Sequence, residues 1–102
     1  MSGRILQINF KFNVPRADYE QAAASVASQM VAVAGLRWKI WTMNEAESEA
    51  GAIYLFDDEA SLKAYLDGPI VAELASHPAF SDLSAKQFEV MEEQTAITRG
   101  PV

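Results

Sequence analysis

Between Arg4 and Asn13 the sequence RILQINFKFN alternates without a break: Leu6, Ile8, Phe10 and Phe12 are apolar, and Gln7, Asn9, Lys11 and Asn13 are polar. Period two is the mark of a β-strand with one face toward a core and the other toward wetter surroundings. A helix would scatter those four apolar side chains around its axis. Val14-Pro15 stops the strand, because proline brings no N–H to a ladder. The chain therefore opens as part of a sheet with an apolar face that later segments must cover.

The next segment changes period. From about Arg16 or Ala17 to Val33, the side chains of Tyr19, Ala22, Ala23, Val26, Ala27, Met30 and Val33 recur at three and four residues and form one helical stripe. Asp18 and Glu20 suit the positive end of the helix dipole, and Gly35 suits its stop. Because the stripe is rich in alanine, the helix is expected to lie close on its sheet. Two strands follow, Leu36 to Asn44 and Gly51 to Phe56, joined by the polar, acidic loop 45–50.

An aspartate of Asp57-Asp58-Glu59 should cap the next helix, whose buried side is Leu62, Tyr65 and Leu66. Asp67-Gly68-Pro69 breaks it, and Pro69 opens a second short helix reaching about Ser76, with Ile70, Val71 and Leu74 inward. His77-Pro78 ends that piece, and 80–83 reads as a connector. The last strand is expected at about Ala85 to Glu92, with Phe88 and Val90 on one face and Gln87, Glu89 and Met91 on the other. Residues 94–102 show no period and read as a flexible tail beyond a single domain of residues 1–93. The order β-α-β-β-α-β is that of the ferredoxin-like α+β class: a four-stranded antiparallel sheet with helices on one face.

Composition removes several kinds of chemistry. The 102 residues make one domain and contain no cysteine and a single histidine, His77. Disulfides, thiolate metal sites, a cysteine nucleophile and a two-histidine metal site within one chain are excluded, so no metal site is expected. A net charge of −6 argues against nucleic acid or an anionic membrane as partner. No run approaches the roughly 20 apolar residues of a membrane helix, and no targeting segment is visible, so a cytoplasmic location is expected.

Helices cover one face of such a sheet and leave the other for solvent or a second chain. Trp38 and Trp41 have opposite parity in one strand, so each face receives one of them. With Trp38, Ile53 and Leu55 assigned to the helices, the open face carries Asn9, Lys11, Lys39, Trp41, Ala52, Tyr54, Phe56 and Glu89. Large aromatics on a bare face suggest burial against a second subunit, or the lining of a small-molecule pocket. A single bulge would exchange Trp38 and Trp41 between faces.

The runs Gly35-Leu36-Arg37-Trp38-Lys39-Ile40-Trp41-Thr42 and Glu49-Ala50-Gly51-Ala52-Ile53-Tyr54-Leu55-Phe56-Asp57-Asp58-Glu59, followed by Ala64-Tyr65-Leu66, resemble the YdhR family of monooxygenases. The Asn9–Asn13 pattern and the Lys86-x-Phe88-x-Val90 strand extend the likeness to about residues 5–91. The resemblance implies a dimeric α/β barrel, with two ferredoxin-like chains joined sheet to sheet as a homodimer. It also implies kinship with small oxygenases that need no metal, flavin or haem cofactor, and with isomerases, decarboxylating enzymes and haem degraders. The haem degraders use an Asn on the first strand, a Trp on the second helix and a His just after it. Here Asn9 matches, Tyr65 stands for the Trp, and His77 is a couple of residues off register beside Pro78, which argues against haem degradation.

On this basis Asn9, Lys39 and Glu89 are the candidate catalytic residues: Lys39 or Asn9 to stabilise a substrate anion, and Lys39 with Glu89 to tune a proton transfer. Trp41, Tyr54, Phe56, Tyr65 and His77 are the candidates for holding a small aromatic or polyketide-like ligand. Each has a plainer reading as well: dimer packing for Trp41 and Tyr54, an intersubunit ion pair for Lys39 and Glu89, and a helix-end residue for His77. The functional alternatives are a ligand-binding or stress-response module without chemistry, and an isomerase or lyase with Glu89 or His77 as base.

Overall fold

In a computed structural model, which describes residues 3–102, the chain forms four strands and four helices. They are β1 (Arg4–Phe12), α1 (Arg16–Met30), β2 (Leu36–Asn44), β3 (Glu49–Phe56), α2 (Glu59–Leu66), α3 (Pro69–Ser76), β4 (Phe80–Glu89) and α4 (Glu92–Ile97). The strands make one sheet in the order β2-β3-β1-β4, and every neighbouring pair is antiparallel. This is the ferredoxin-like arrangement expected from the element order.

The alternation in β1 decides where the core lies. Leu6, Ile8, Phe10 and Phe12 are buried, and the residues between them are not. Opposite them on β3 stand Tyr54, Ala52 and Ala50 at the positions facing Leu6, Ile8 and Phe10. Directly paired residues share a face, so these side chains form one apolar floor. Tyr19 and Met30 of α1, and Leu62 and Tyr65 of α2, pack onto it, with Ile70, Val71 and Leu74 of α3 half-buried beside them. Local chemistry sets the helix starts. The Asp58 carboxylate accepts the Ser61 N–H at 2.8 Å and so caps α2, while Pro69 opens α3.

Two bulges and one ambiguous strand change the expected faces. In β2, Leu36 pairs with Phe56 but Trp38 pairs with Leu55, so Arg37 is an extra residue. Its guanidinium reaches Asp57 at 2.6 Å, across the strand end. Beyond this bulge Lys39 and Trp41 point to the helix face, beside Tyr54 and Ala52, while Trp38 and Ile40 point to the open face. In β3 both parities are apolar, so the sequence carries no alternation to read there. Tyr54 and Phe56 lie under the helices and Ile53 and Leu55 lie on the other side, the reverse of the expectation. In β4 the pairing moves from Asn9↔Ser84 to Lys11↔Ser81, with Asp82 in the left-handed region at φ 54°. That shift sends Phe88 to the open face, where it pairs with Ile5 and is 44% exposed.

Element bounds differ in several places; β3, for one, starts at Glu49 rather than Gly51. β4 begins at Phe80, so the expected connector belongs to the strand. α1 ends at Met30 rather than Val33. The tail is not without structure: residues 92–97 form α4, and the Trp38 indole N–H donates to the Pro101 carbonyl at 2.8 Å. That bond returns the C-terminus from β4 at one edge of the sheet to β2 at the other. The alanines of α1, moreover, do not draw the helix onto the sheet, and a cavity separates them.

Gly51 stands where β1 and β3 approach closely. A methyl group there would collide with the Ile8 carbonyl oxygen and crowd the Asn9 side chain. Gly51→Ala is expected to destabilise the fold by about 2 kcal/mol, read as a lower midpoint in urea at unchanged slope.

Candidate functional site

A cavity of about 240 Å³ lies between the helix face of the sheet and helices α1 and α3. Its floor is Ile8, Phe10, Ala52, Tyr54, Lys39 and Trp41, and its roof includes Ala22, Ala23 and Val26 of α1 and Ile70 and Leu74 of α3. The cavity follows from side-chain size. Tyr19 near the start of α1 stacks on Phe12 and meets Phe10 and Phe80, and Met30 anchors the other end. Between these large anchors α1 presents alanines to Gly51-Ala52 on β3, and short side chains cannot fill the gap.

Lys39 is the only lysine or arginine among the lining residues. Its Nζ sits 3.6 Å above the Trp41 ring and 4.8 Å from the centre of the Tyr54 ring. Among the described residues no carboxylate forms an ion pair with it. Burial disfavours the ammonium and pulls its pKa from 10.5 down to about 8. The ring contacts favour the charged form, so the amine is held between the two tendencies.

All three tyrosines of the chain line this space. The Tyr54 and Tyr65 hydroxyls are hydrogen-bonded at 3.1 Å in a buried position. Tyr54 is pushed far above an ordinary phenol, by burial first and then by the neighbouring Tyr65. Burial also raises Tyr65 and Tyr19. All three are therefore neutral hydrogen-bonding groups at physiological pH. At the rim, His77 Nδ1 accepts the Ala79 N–H at 3.1 Å, which leaves Nε2 to carry the ring hydrogen, and the imidazole lies 4.7 Å from Phe80. Glu73 completes the rim.

Five of the eight candidate residues meet here: Lys39, Trp41, Tyr54, Tyr65 and His77. They do so on the helix side of the sheet, not on the open face. Because β2 and β3 both differ from the expected parity, the Lys39–Trp41–Tyr54 grouping survives on the opposite side. The other three lie elsewhere. Asn9 belongs to the open face of β1. Phe56 is fully buried beneath Tyr54 and Tyr65 and does not line the cavity. Glu89 is exposed at the far end of β4, opposite Arg4, so no Lys39–Glu89 pair forms. Tyr19 and Phe80 are lining residues that the sequence presents only as a helix-stripe residue and as part of a connector. Among the described residues no three of His, Asp and Glu converge as a metal site, and no helix is long and apolar enough to cross a membrane.

Over residues 5–101 the chain matches the family described as "Putative mono-oxygenase ydhR". The chain belongs to the YdhR family. A search of curated proteins returned no match. Solved structures reproduce the fold. A protein of unknown function from Nitrosomonas europaea is 22% identical, with a TM-score of 0.74 over 89% of this chain and 91% of the other. SnoaB, a cofactor-independent oxygenase from Streptomyces nogalater, is 15% identical, with a TM-score of 0.72 over 90% of this chain and 96% of its own. A dimeric ferredoxin-like protein of unknown function from Thermobifida fusca is 21% identical, with a TM-score of 0.68 over 87% and 92%.

In this YdhR-family chain the amine of Lys39 should titrate well below the ordinary value for a lysine. After reductive ¹³C-methylation, the Lys39 signal is expected to move near pH 8. The folded pKa lies below the unfolded one, so folding stability should be flat below about pH 8 and rise as pH climbs toward 10.5. Lys39→Met should abolish that rise.

Proposed function

We propose that the protein is a cofactor-independent monooxygenase acting on a small aromatic or polyketide-like phenol or enol held in this cavity. The observation that carries the reading is a lysine without a carboxylate partner, set against Trp41 and Tyr54 in an otherwise largely apolar cavity. Membership of a family described as mono-oxygenase, and likeness to a cofactor-independent oxygenase, support it.

The substrate ionises to a phenolate or enolate, and the Lys39 ammonium stabilises the anion in surroundings where water competes poorly. The electron-rich anion reduces O₂ and takes up one oxygen atom. The second oxygen leaves as water, so a phenol with a free para C–H becomes a quinone and no outside reductant is consumed. Trp41 and Tyr54 flank the flat substrate, and the Tyr54–Tyr65 hydroxyl pair offers a hydrogen bond to its oxygen.

The working unit in this reading is a cytoplasmic homodimer joined through the open sheet face. That face carries Ile40 at 53% exposure next to Trp38 on β2, and Phe88 at 44% on β4. Exposed apolar side chains of this size on one surface favour a partner surface of the same kind.

Purified protein given a panel of phenols and naphthols should consume O₂ in equal amount to the quinone formed. Lys39→Met should slow turnover by about 100-fold while circular dichroism stays unchanged. Ligand binding without oxygen uptake across the panel would assign the cavity to a binding module instead. Sedimentation at micromolar concentration should give a dimer, and Phe88→Asp should shift it to monomer.

A further inference from the structure

Lys39 combines features that the oxygen chemistry does not fully use. It is half-buried, its Nζ borders the cavity, and neither an anion nor a hydrogen-bonding side chain is recorded on it among the described residues. The chain's other lysines lack this combination. Lys11 reaches the Glu47 carbonyl at 3.0 Å, and Lys63 and Lys86 are exposed. A lysine in apolar surroundings with no acid beside it is the arrangement that frees an amine lone pair for attack on a carbonyl carbon.

We propose that the cavity is also a carbonyl-capture site, in which Lys39 forms a reversible imine with flat, apolar aldehydes or ketones. The proposal rests on the preceding reading only in placing the ligand in the same cavity, and no step requires O₂. The Nζ lone pair forms the C–N bond while the carbonyl π pair moves to oxygen, which takes a proton. The resulting carbinolamine then loses its hydroxyl as water, and nitrogen gives up its remaining proton. The balance is one amine and one carbonyl compound in, one imine and one water out, with no change of oxidation state.

The walls choose the carbonyl compound. Trp41 and Tyr54 supply flat faces, and Ala22, Ala23 and Val26 supply an apolar roof. An aryl aldehyde meets both, whereas a short polyhydroxy aldehyde would have to shed its water shell against methyl groups. The other protonatable groups that line the cavity with the amine are Tyr19, Tyr54, Tyr65, Glu73 and His77. The first three are held neutral by burial. The lowered pKa of Lys39 raises its neutral fraction at pH 7 on the order of 100-fold over an ordinary lysine. The two roles of the residue thus use its two protonation states: ammonium toward an anion, free amine toward a carbonyl.

The test is reductive trapping. The full-length protein is incubated with benzaldehyde and cyanoborohydride at pH 7, with and without oxygen, and then mapped by peptide mass spectrometry. Benzylation of Lys39 should exceed that of Lys11, Lys63 and Lys86 by at least about tenfold, whether or not oxygen is present. Glyceraldehyde should give no such preference. Ala23→Leu, which fills the roof, should suppress labelling at Lys39 alone. Uniform labelling of the four lysines, or labelling indifferent to Ala23→Leu, would overturn the proposal. Lys39→Arg keeps the cation and removes the reactive amine. Quinone formation surviving in that variant beside uniform labelling of the wild type would sink the imine alone, and trapping without oxygen uptake in the wild type would sink the oxygenase reading alone.

Discussion

The pairing of β1 with β3 is the constraint on which the rest depends. Leu6 opposite Tyr54, Ile8 opposite Ala52 and Phe10 opposite Ala50 put the strongest apolar alternation in the chain beside a column that ends in aromatics and begins in methyl groups. One end of this floor is therefore filled by rings from both sheet and helix, including the Tyr54–Phe56–Tyr65 group. The middle, where Ala52 lies, is low. Helices that pack well against the ends must bridge the middle, and the cavity follows without any dedicated loop or lid.

Onto this floor the β2 bulge delivers a charge. Without Arg37 as an extra residue, Lys39 would follow the parity of Ile40 and stand on the open face. With it, the ammonium lies across Trp41 in a place where hydration is poor. The Arg37–Asp57 ion pair that spans the bulge is largely exposed and contributes little stability by itself. Its consequence is geometric: it accompanies the register that aims the next two side chains inward. Site chemistry here depends on a backbone irregularity at the edge of the sheet more than on any single attractive contact.

How much of this the sequence disclosed depends on where a period was present. The buried face of β1 was legible because its alternation is complete, and α2 and α3 were legible from Asp58 and Pro69. The face of β3 was not, because Ile53, Tyr54, Leu55 and Phe56 are apolar at both parities. The faces of β2 and β4 turn on bulges at Arg37 and near Asp82, and nothing in residue type announces them. Lys39, Trp41, Tyr54, Tyr65 and His77 could still be named as a group, since side chains on neighbouring strands move together when both parities invert. Asn9 dropped out because it was joined to that group only through the wrong face, and Glu89 because it stands at the far end of β4, opposite Arg4. Tyr19 was missed because an aromatic on a core stripe looks the same whether it fills space or borders it, and Phe80 because it read as part of a connector and not of β4.

A helix fixed at Tyr19 and Met30, with mostly short side chains toward the sheet between them, behaves mechanically as a beam supported at its ends. Bending such a beam a little costs its backbone hydrogen bonds far less than shifting either anchor would. The height of the chamber beneath α1 is thus softer than its width, which is set by sheet pairing. Guests differing in thickness should be accommodated more easily than guests differing in breadth, a bias written into the alternation of large and small residues along a single helix.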